Sequence, residues 1–401
     1  MLLLYFLRGT VLPWYLHISQ NALVIGNIGL LVAAAGLAIS GAGRWRLAWT
    51  AVMIACALSV TQAEQVSNSS QRLLGLALLM IGVGPMVVNP KVVGLRAAAW
   101  GLVVRGLPWL SGTFVVWYAL RLPNFGAGHF SGFMNQCMLA GPLAGLGGAI
   151  ALVRAFGSRS WKWGVLSVVS LAPVLASGSR VATLATAATY CLIVLRRKPI
   201  LGGLGALFLL AAILAFVFQP QSSAESESLT GALAKKGTVN SRAELWQSRI
   251  AEFKSSPLFG IGVAMGTGNS STVEGGGNIR VEPGSSYLAI LAMTGLFGVV
   301  TFSWALSQLI LQFVQAKPRG QEAQVVVAMG VFLAVHGVAE GWVLAFGSPL
   351  AFLFWLWLGR MGDETGQVAC SVRATGPTVL RPLRGFRLRV NPMHGGGRAR
   401  R

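Results

Sequence analysis

Four arginines are candidate anion-binding groups in a chain that carries few charges. Arg180 follows a Ser-Gly-Ser run and directly precedes an apolar stretch, whereas Arg242, Arg249 and Arg280 lie within one long polar segment. A guanidinium presents a planar fork of N–H donors that matches two oxygens of a phosphate group. At the start of a helix, an arginine adds to the attraction for anions that the exposed backbone N–H groups provide.

Glu282 is the candidate acid–base group. It lies two residues after Arg280, where the polar segment gives way to the next apolar stretch. A carboxylate at a boundary between membrane and water can have a raised pKa and act as a general base. The alternative is that Glu282 is simply the ion-pair partner of Arg280.

The composition indicates that these groups belong to a membrane protein. Of 401 residues, 54% are hydrophobic and only 11% are charged, with a mean hydropathy of +0.65. Soluble domains average about 25% charged residues, so 32 basic and 11 acidic side chains cannot cover a water-soluble surface of this size. We expect an all-α fold, a polytopic transmembrane helical bundle.

Charge-free stretches predict about 11 membrane spans, with residues 1–19 as a further short or interfacial helix. The clearest is 201–218, which has no polar side chain. We divide the chain into an N-terminal bundle (1–218), an extracytoplasmic loop (219–285), C-terminal transmembrane helices (286–358) and a basic tail (359–401). The predicted spans are 22–42, 47–63, 73–89, 97–119, 133–153, 163–177, 181–195, 200–218, 286–313, 323–340 and 342–358.

Positive charge predicts the orientation. Most basic residues fall in alternate loops and in the tail, which marks that side as cytoplasmic. The loop at 219–285 and the end near Arg180 then face outward, and the expected location is a bacterial inner membrane. The net charge of +21 is explained by topology and by attraction to anionic lipid, so nucleic acid is not expected as a partner.

Metal, disulfide and nucleotide sites are not expected. The four cysteines form no C-x-x-C pair, and three of them lie in apolar stretches. The glycine run 275–277 lacks the lysine of a phosphate-binding loop. No internal repeat stands out, which weakens an inverted-repeat transporter.

The long loop contains a predicted amphipathic helix. Ser241 and Glu244 have the spacing of a capping box, and Pro257 and Gly260 end the segment. We expect the helix to lie on the membrane surface with its arginines at headgroup depth, bound either to a lipid-linked substrate or to ordinary lipid phosphates. Its expected apolar stripe consists of Ala243, Trp246, Ile250 and Phe253.

Three ionisable residues lie inside apolar stretches. His336 and Glu340 are four residues apart, which predicts one helical face, with Glu340 at the water-accessible outer end. We interpret them as a structural polar pair, with a proton relay or an acceptor-site role as the alternative. Arg105 is expected to face the protein interior, because a charge facing lipid is costly.

Several short motifs together resemble the O-antigen ligase/polymerase family of bacterial membrane glycosyltransferases. Ser179-Arg180 resembles the family's S-R element, and Gly128 to Gly141 vaguely resembles its middle element. Ser241-Arg242 with Trp246, followed by Pro257-Leu258-Phe259-Gly260-Ile261-Gly262, resembles R-x-x-x-W…P-L-x-G-x-G. Ser286-Tyr287-Leu288 with Gly295-Leu296-Phe297-Gly298 resembles H-N-x-Y-L…G-x-x-G.

The resemblance implies that an acceptor hydroxyl attacks the anomeric carbon of a glycan carried on undecaprenyl pyrophosphate. No metal or other cofactor is implied; the partners are the lipid-linked donor, the glycan acceptor and membrane lipid. By matching position, Arg180 and Arg242 become a pyrophosphate clamp that stabilises the leaving group. Arg249, Arg280, Trp246 and Tyr287 are the remaining candidate substrate-binding residues.

One departure from the family concerns the base. The family's His position holds Gly284, and Ser285 stands where Asn is usual. Glu282 is our substitute candidate for the base, with His129 as a second. The missing His favours an exopolysaccharide or O-antigen polymerase over a ligase acting on lipid A.

A polysaccharide exporter or flippase is the competing function. It predicts a continuous central cavity lined by ionisable groups such as His336, Glu340 and Arg105.

Overall fold

The computed structural model describes residues 10, 19–40, 43–63, 66–123, 130–134, 137–197, 239–263, 284–318 and 320–374. These parts are mostly helical, which confirms the all-α prediction. The first five helices are α1 (Gln20–Ile39), α2 (Leu47–Val60), α3 (Val66–Gly82), α4 (Pro90–Ala119) and α5 (Cys137–Ser158). The next four are α6 (Trp161–Val169), α7 (Leu171–Ala176), α8 (Arg180–Arg197) and α9 (Val239–Ser255). The last three are α10 (Ser286–Ala316), α11 (Gln321–His336) and α12 (Pro349–Ala374). Two short antiparallel strands, β1 (Arg44–Trp45) and β2 (Val87–Val88), pair beside the ends of α1 and α3.

Four of the described helices contain segments long and apolar enough to cross a membrane, namely Ala22–Ile39, Pro90–Ala119, Met138–Ser158 and Ser286–Ala316. Shorter apolar helices lie at Leu47–Val60, Trp161–Ala176 and Gln321–His336. The predicted number of spans stays a prediction, because the stretch 200–218 and nearly all of 1–19 lie outside the described residues.

Several predicted spans have different bounds. The helix predicted at 73–89 is Val66–Gly82, and strand β2 follows at Val87–Val88. The stretch 163–177 is two helices, α6 and α7, which meet at Ser170. Predicted span 323–340 ends at His336, and predicted span 342–358 begins only at Pro349. The chain between them is irregular because Gly337 ends α11, Gly347 has a left-handed φ of +96° and a proline suits the first turn of the next helix.

The two ends of the bundle are defined by the antiparallel packing of α8 and α11. Arg197 at the end of α8 donates a hydrogen bond to Gln324 in the first turn of α11, at 2.7 Å. The 18 residues of α8 rise roughly 27 Å from Arg197 back to Arg180, so Arg180 lies level with the other end of α11. We call that end the Tyr287 end, because Tyr287 bonds to Ala334 near the end of α11. The opposite end is the Lys317 end.

Buried ion pairs hold the Lys317 end together. Arg96 of α4 binds Asp363 of α12 through Nη2 and Nε, at 2.6 and 2.9 Å. Its remaining nitrogen, Nη1, donates to the carbonyls of Gly84 and Val87. Arg46 donates to the carbonyl of Gly362, at 2.8 Å. Some of the basic residues that predicted the cytoplasmic side therefore also join α4 and α12 to the β1–β2 ribbon.

Glycines on α5 allow the close packing that positions α8. A Cβ at Gly141, Gly145 or Gly148 would collide with a side-chain oxygen of Ser177, Thr186 or Tyr190, respectively. Small residues at a helix contact let the two backbones approach closely. The beginning of α8 is therefore fixed against α5.

Arg105 does not face the protein interior, and that prediction is wrong. Its side chain is exposed on α4, within electrostatic range of Arg154. The Arg154 guanidinium lies 4.8 Å over the Trp163 ring. The prediction considered the charge alone, whereas the long apolar stem of arginine can cover an apolar surface while its head group reaches a polar neighbour.

Candidate active site at the Tyr287 end

The start of α8 places Arg180 at the Tyr287 end. Gly178 has a left-handed φ of +62°, which turns the chain out of α7. Ser179 then caps the new helix, because its hydroxyl accepts a hydrogen bond from the N–H of Ala182 at 3.3 Å. Arg180 is the first residue of α8 and is partly exposed. Its guanidinium therefore lies beside the positive end of a helix dipole, as the sequence predicted.

Helix α10 is broken at Gly295, close to the same end. Gly295 has φ +64° and ψ −167°, a conformation outside the helical range. A Cβ there would also collide with the carbonyl of Leu258. The break leaves backbone groups of α10 without their partners within the helix.

The segment 257–262 supplies those partners. The N–H groups of Leu296 and Phe297 donate to the carbonyls of Pro257 and Leu258, at 2.8 and 3.1 Å. In return, the N–H groups of Ile261 and Gly262 donate to the carbonyls of Ala292 and Met293, at 3.0 and 3.1 Å. Two of the motifs singled out in the sequence, 257–262 and 295–298, thus bind each other through their backbones.

Helix α9 is held against α10 at both of its ends. Near its beginning, the Trp246 indole donates to the carbonyl of Gly284, at 3.0 Å. At its other end, α9 runs directly into the docked segment 257–262. The predicted helix in the long loop is confirmed, and Trp246 serves as one of its two attachments.

The buried face of α9 carries two charged residues, whereas the sequence predicted that the arginines of this helix lie at headgroup depth. Arg249 is only 1% exposed and Glu252 only 7%, whereas Ile250, expected in the apolar contact, is 41% exposed. Arg249 Nη1 binds Glu252 Oε2 at 2.6 Å. Arg249 is therefore not at headgroup depth as predicted, because its guanidinium is buried inside the protein against Glu252.

The buried pair has unused hydrogen-bonding capacity. Arg249 Nε and Nη2 and Glu252 Oε1 have no partner among the described residues. Burial raises the pKa of the Glu252 carboxyl, and the neighbouring Arg249 guanidinium opposes part of that shift. An unpaired buried polar atom costs about 1–3 kcal/mol, so an arrangement with three of them is a candidate ligand site.

Tyr287 and Ser286 join the beginning of α10 to the far end of α11. The Tyr287 hydroxyl donates to the carbonyl of Ala334, at 2.8 Å. The Ser286 hydroxyl donates to the carbonyl of Glu340, at 2.7 Å, and accepts from the N–H of Trp342, at 3.1 Å. Half of the Tyr287 side chain stays exposed.

His336 and Glu340 do not share a helical face, so that prediction is wrong. Helix α11 ends at His336, and Glu340 lies in the irregular segment that follows. Glu340 is 5% exposed, so the expected access of water is also wrong. The His336 ring stacks on Phe332, and its Nδ1 accepts a hydrogen bond from the Trp342 indole at 2.9 Å, which fits the structural role.

An apolar cavity of about 720 Å³ runs along α10 and α11. Ser286, Tyr287 and Trp342 line it at the Tyr287 end, and Arg196 and Lys317 line it at the other. Its wall between the two ends is mostly aliphatic and aromatic, with residues that include Ile290, Phe302, Leu306, Ile310, Phe313, Val327, Phe354 and Trp357.

The candidate site residues are described to different extents. Arg180, Trp246, Arg249 and Tyr287 belong to elements that lie at or near the Tyr287 end, where α8 packs on α11 and α9 packs on α10. Arg242 lies in α9, one turn before Trp246, but its side chain is outside the described part, as are Glu282, Arg280 and His129 entirely. Among the described residues, no group of three or more His, Cys, Asp or Glu could hold a metal ion.

Residues 165–303 match the family model described as O-antigen ligase. This part of the chain is similar to the O-antigen ligase family. The resemblance inferred from the sequence is thereby confirmed, and the matched range contains α8, α9, the docked segment and the break at Gly295. A comparison with curated proteins finds no match.

Sequence reasoning missed two features of the matched region. Glu252 was not singled out, although its spacing of three residues from Arg249 is the signal of an ion pair on one helical face. The break at Gly295 was not expected, although Gly295 belongs to a motif noted in the sequence.

Proposed function

We propose that this protein is a membrane glycosyltransferase that moves a glycan from undecaprenyl pyrophosphate to an acceptor sugar hydroxyl. The reaction takes place at the Tyr287 end, which faces outward, in the synthesis of an exopolysaccharide or O-antigen. The O-antigen ligase match supports this reaction type, and the positive charge near the Lys317 end supports the orientation.

The apolar cavity is the observation that supports a lipid-linked donor. It extends along α10 and α11 from Tyr287 to Lys317, so a long isoprenoid chain can lie in it parallel to the helices. The diphosphate of that donor would then emerge beside Ser286 and Tyr287, at the end where α8 presents Arg180. Binding of an apolar chain in such a cavity is favourable, because the apolar surfaces of the chain and of the cavity wall then contact each other instead of water or lipid.

Arg180 and Arg242 bind the diphosphate in this proposal. Cleavage of the sugar–phosphate bond transfers negative charge to the leaving group. Fixed guanidiniums in a site shielded from water stabilise that charge more in the transition state than in the ground state, and no metal ion is needed for this. Arg280 and Trp246 remain candidates for the glycan, on sequence position.

Alanine substitution of the two arginines tests the clamp. We expect Arg180→Ala and Arg242→Ala each to lower polymer formation by at least about a hundredfold, the size of losing one oxyanion donor. Polymer length is measured by gel electrophoresis, and membrane insertion by fractionation. Arg44→Ala, on the exposed β1 strand, is the control and should leave polymer unchanged. Wild-type polymer from both arginine variants would reject the clamp.

The transporter alternative has less support from the structure. Its predicted path included Arg105 and His336, but Arg105 is exposed on α4 and His336 is buried against Phe332 and Trp342. The walls of the described cavity are mostly apolar, which suits a lipid tail better than a hydrated glycan.

A further inference from the structure

The inward face of α9 leads from the position of the missing family histidine to a buried carboxylate. Leu245, Arg249 and Glu252 are spaced i, i+4 and i+7, so they share one helical face. A Cβ built on Gly284 would lie 3.0 Å from the Cβ of Leu245, which places residue 284 against that same face. Glu252 lies two turns farther along α9, roughly 10 Å from Leu245 along the helix axis.

The backbone at Gly284 explains why a histidine is unfavourable there. Gly284 has φ +71°, a left-handed conformation that side-chain-bearing residues rarely adopt. Its carbonyl is engaged by the Trp246 indole, so this conformation is part of the attachment of α9. Because position 284 carries no titratable group, a base for the transfer reaction must come from another position.

Glu252 is held between the two attachments of α9. The Trp246–Gly284 hydrogen bond lies on one side of it in sequence, and the docked segment 257–262 on the other. Arg249 fixes Glu252 Oε2 and leaves Oε1 without a partner among the described residues. A carboxylate held in this way needs no reorganisation before it accepts a proton.

The unbonded nitrogens of Arg249 are donors that a polar ligand beside Glu252 could use. Two of its nitrogens, Nε and Nη2, are buried and have no hydrogen-bond partner in the described part of the chain. Donors on Arg249 and an acceptor on Glu252 are the complement of a sugar, whose hydroxyls both donate and accept.

We propose that the Arg249–Glu252 pair forms the acceptor subsite and that Glu252 is the general base. This inference rests on the proposed function. Glu252 Oε1 takes the proton from the acceptor hydroxyl as that oxygen bonds to the anomeric carbon. The bond between the anomeric carbon and the phosphate oxygen breaks, and the electron pair leaves with the polyprenyl diphosphate. Arg249 is a positioning residue for the carboxylate.

The test compares Glu252→Gln with Glu252→Asp in the full-length protein in detergent or nanodiscs. The probe is a polyprenyl-diphosphate-linked oligosaccharide extracted from the source bacterium, and transfer is followed against pH. Wild-type turnover should rise with pH as the base ionises. Glu252→Gln keeps the shape and an oxygen for Arg249 but cannot take a proton, so we expect a loss of about a hundredfold or more and no rise with pH. Glu252→Asp should retain the rise at a lower rate.

Binding of the polyprenyl diphosphate and the midpoint of thermal unfolding separate chemistry from folding. Both should stay near wild type in Glu252→Gln. The matched control is Glu322→Gln, which removes an exposed carboxylate paired with Arg360 at the Lys317 end and should leave the pH profile unchanged.

The Glu252→Gln experiment distinguishes failure of the proposed base from failure of the proposed function. Wild-type turnover in Glu252→Gln, or residual activity that keeps the same rise with pH, would overturn the base while leaving the glycosyltransferase intact. A wild-type protein that transfers nothing from the lipid-linked donor would overturn the proposed function, and this inference with it. Loss of turnover and of the pH dependence, with donor binding retained, supports it.

Discussion

The two ends of the bundle each contain an arginine that is only 1% exposed, and the two arginines are bound very differently. Arg96, at the Lys317 end, uses all three of its guanidinium nitrogens, on Asp363 and on two carbonyls. Arg249, near the Tyr287 end, uses one, and the other two have no partner among the described residues.

A structural buried charge and a functional one differ in how completely their hydrogen-bonding groups are paired. Both arginines lose their hydration on folding, a cost that only a full set of partners offsets. Arg96 has that set within the protein. Arg249 does not, so we infer that its remaining partners arrive with a substrate. Burial alone would have given both residues the same role.

The largest effect on stability is expected at the Lys317 end, where Arg96 has a full set of partners. Asp363→Ala leaves the Arg96 guanidinium buried without its carboxylate, and we expect a loss of about 3–5 kcal/mol in the free energy of unfolding. The midpoint of thermal unfolding in detergent measures it, together with the yield of folded protein. Glu364→Ala, which removes only a partly exposed partner of Arg360, is the control and should cost well under half as much. Equal losses of stability in Asp363→Ala and Glu364→Ala would contradict the structural role assigned to the Arg96–Asp363 pair.

A smaller loss is expected from Gly295→Ala, which acts on the scaffold of the candidate site. Alanine must adopt a φ of +64°, and its Cβ collides with the carbonyl of Leu258, so the segment 257–262 has to move. We expect a loss of about 2–3 kcal/mol in the free energy of unfolding. Limited proteolysis between α9 and α10 should also become faster. Gly94→Ala is the control, because a Cβ there meets nothing within 4 Å. Unchanged proteolysis would show that the docked segment does not depend on the break.

The smallest effect on stability is expected near the Tyr287 end, where Arg249 is incompletely paired. The double variant Arg249→Met, Glu252→Gln removes the buried charges while keeping similar volumes. The free energy of unfolding should stay within about 1 kcal/mol of wild type or increase, because the pair is incompletely bonded. Glycan transfer should nevertheless be lost. A large loss of stability in this variant would assign the pair a structural role like that of Arg96.

The parts of the fold that the sequence predicted are those set by composition and local signals. Long apolar stretches were predicted to form helices, and α1, α5 and α10 confirm this. The start of α8 near Arg180 followed from the apolar stretch after a Ser-Gly-Ser run, and the end of α9 before Pro257 followed from the proline rule, whereas α9 begins at Val239, before the predicted cap at Ser241. These signals are local, so they can be read without knowing what the helix packs against.

The features that were not predicted depend on distant partners. Helix α9 was expected to lie on the membrane surface with Arg249 at headgroup depth, but Arg249 is buried and binds Glu252. His336 and Glu340 have helical spacing, yet the helix ends between them. Gly295 is one of 51 glycines, and its role appears only when segment 257–262 is seen bound beside it.

The interruption in α10 also sets how that helix fits a bilayer. The 21 residues from Leu296 to Ala316 measure about 31 Å, close to the hydrocarbon thickness of about 30 Å. The part of α10 after the interruption is thus long enough to cross a bilayer without the turns before it. Segment 257–262 bonds to both sides of the interruption, so it holds those first turns, with Ser286 and Tyr287, at a fixed angle to the longer part.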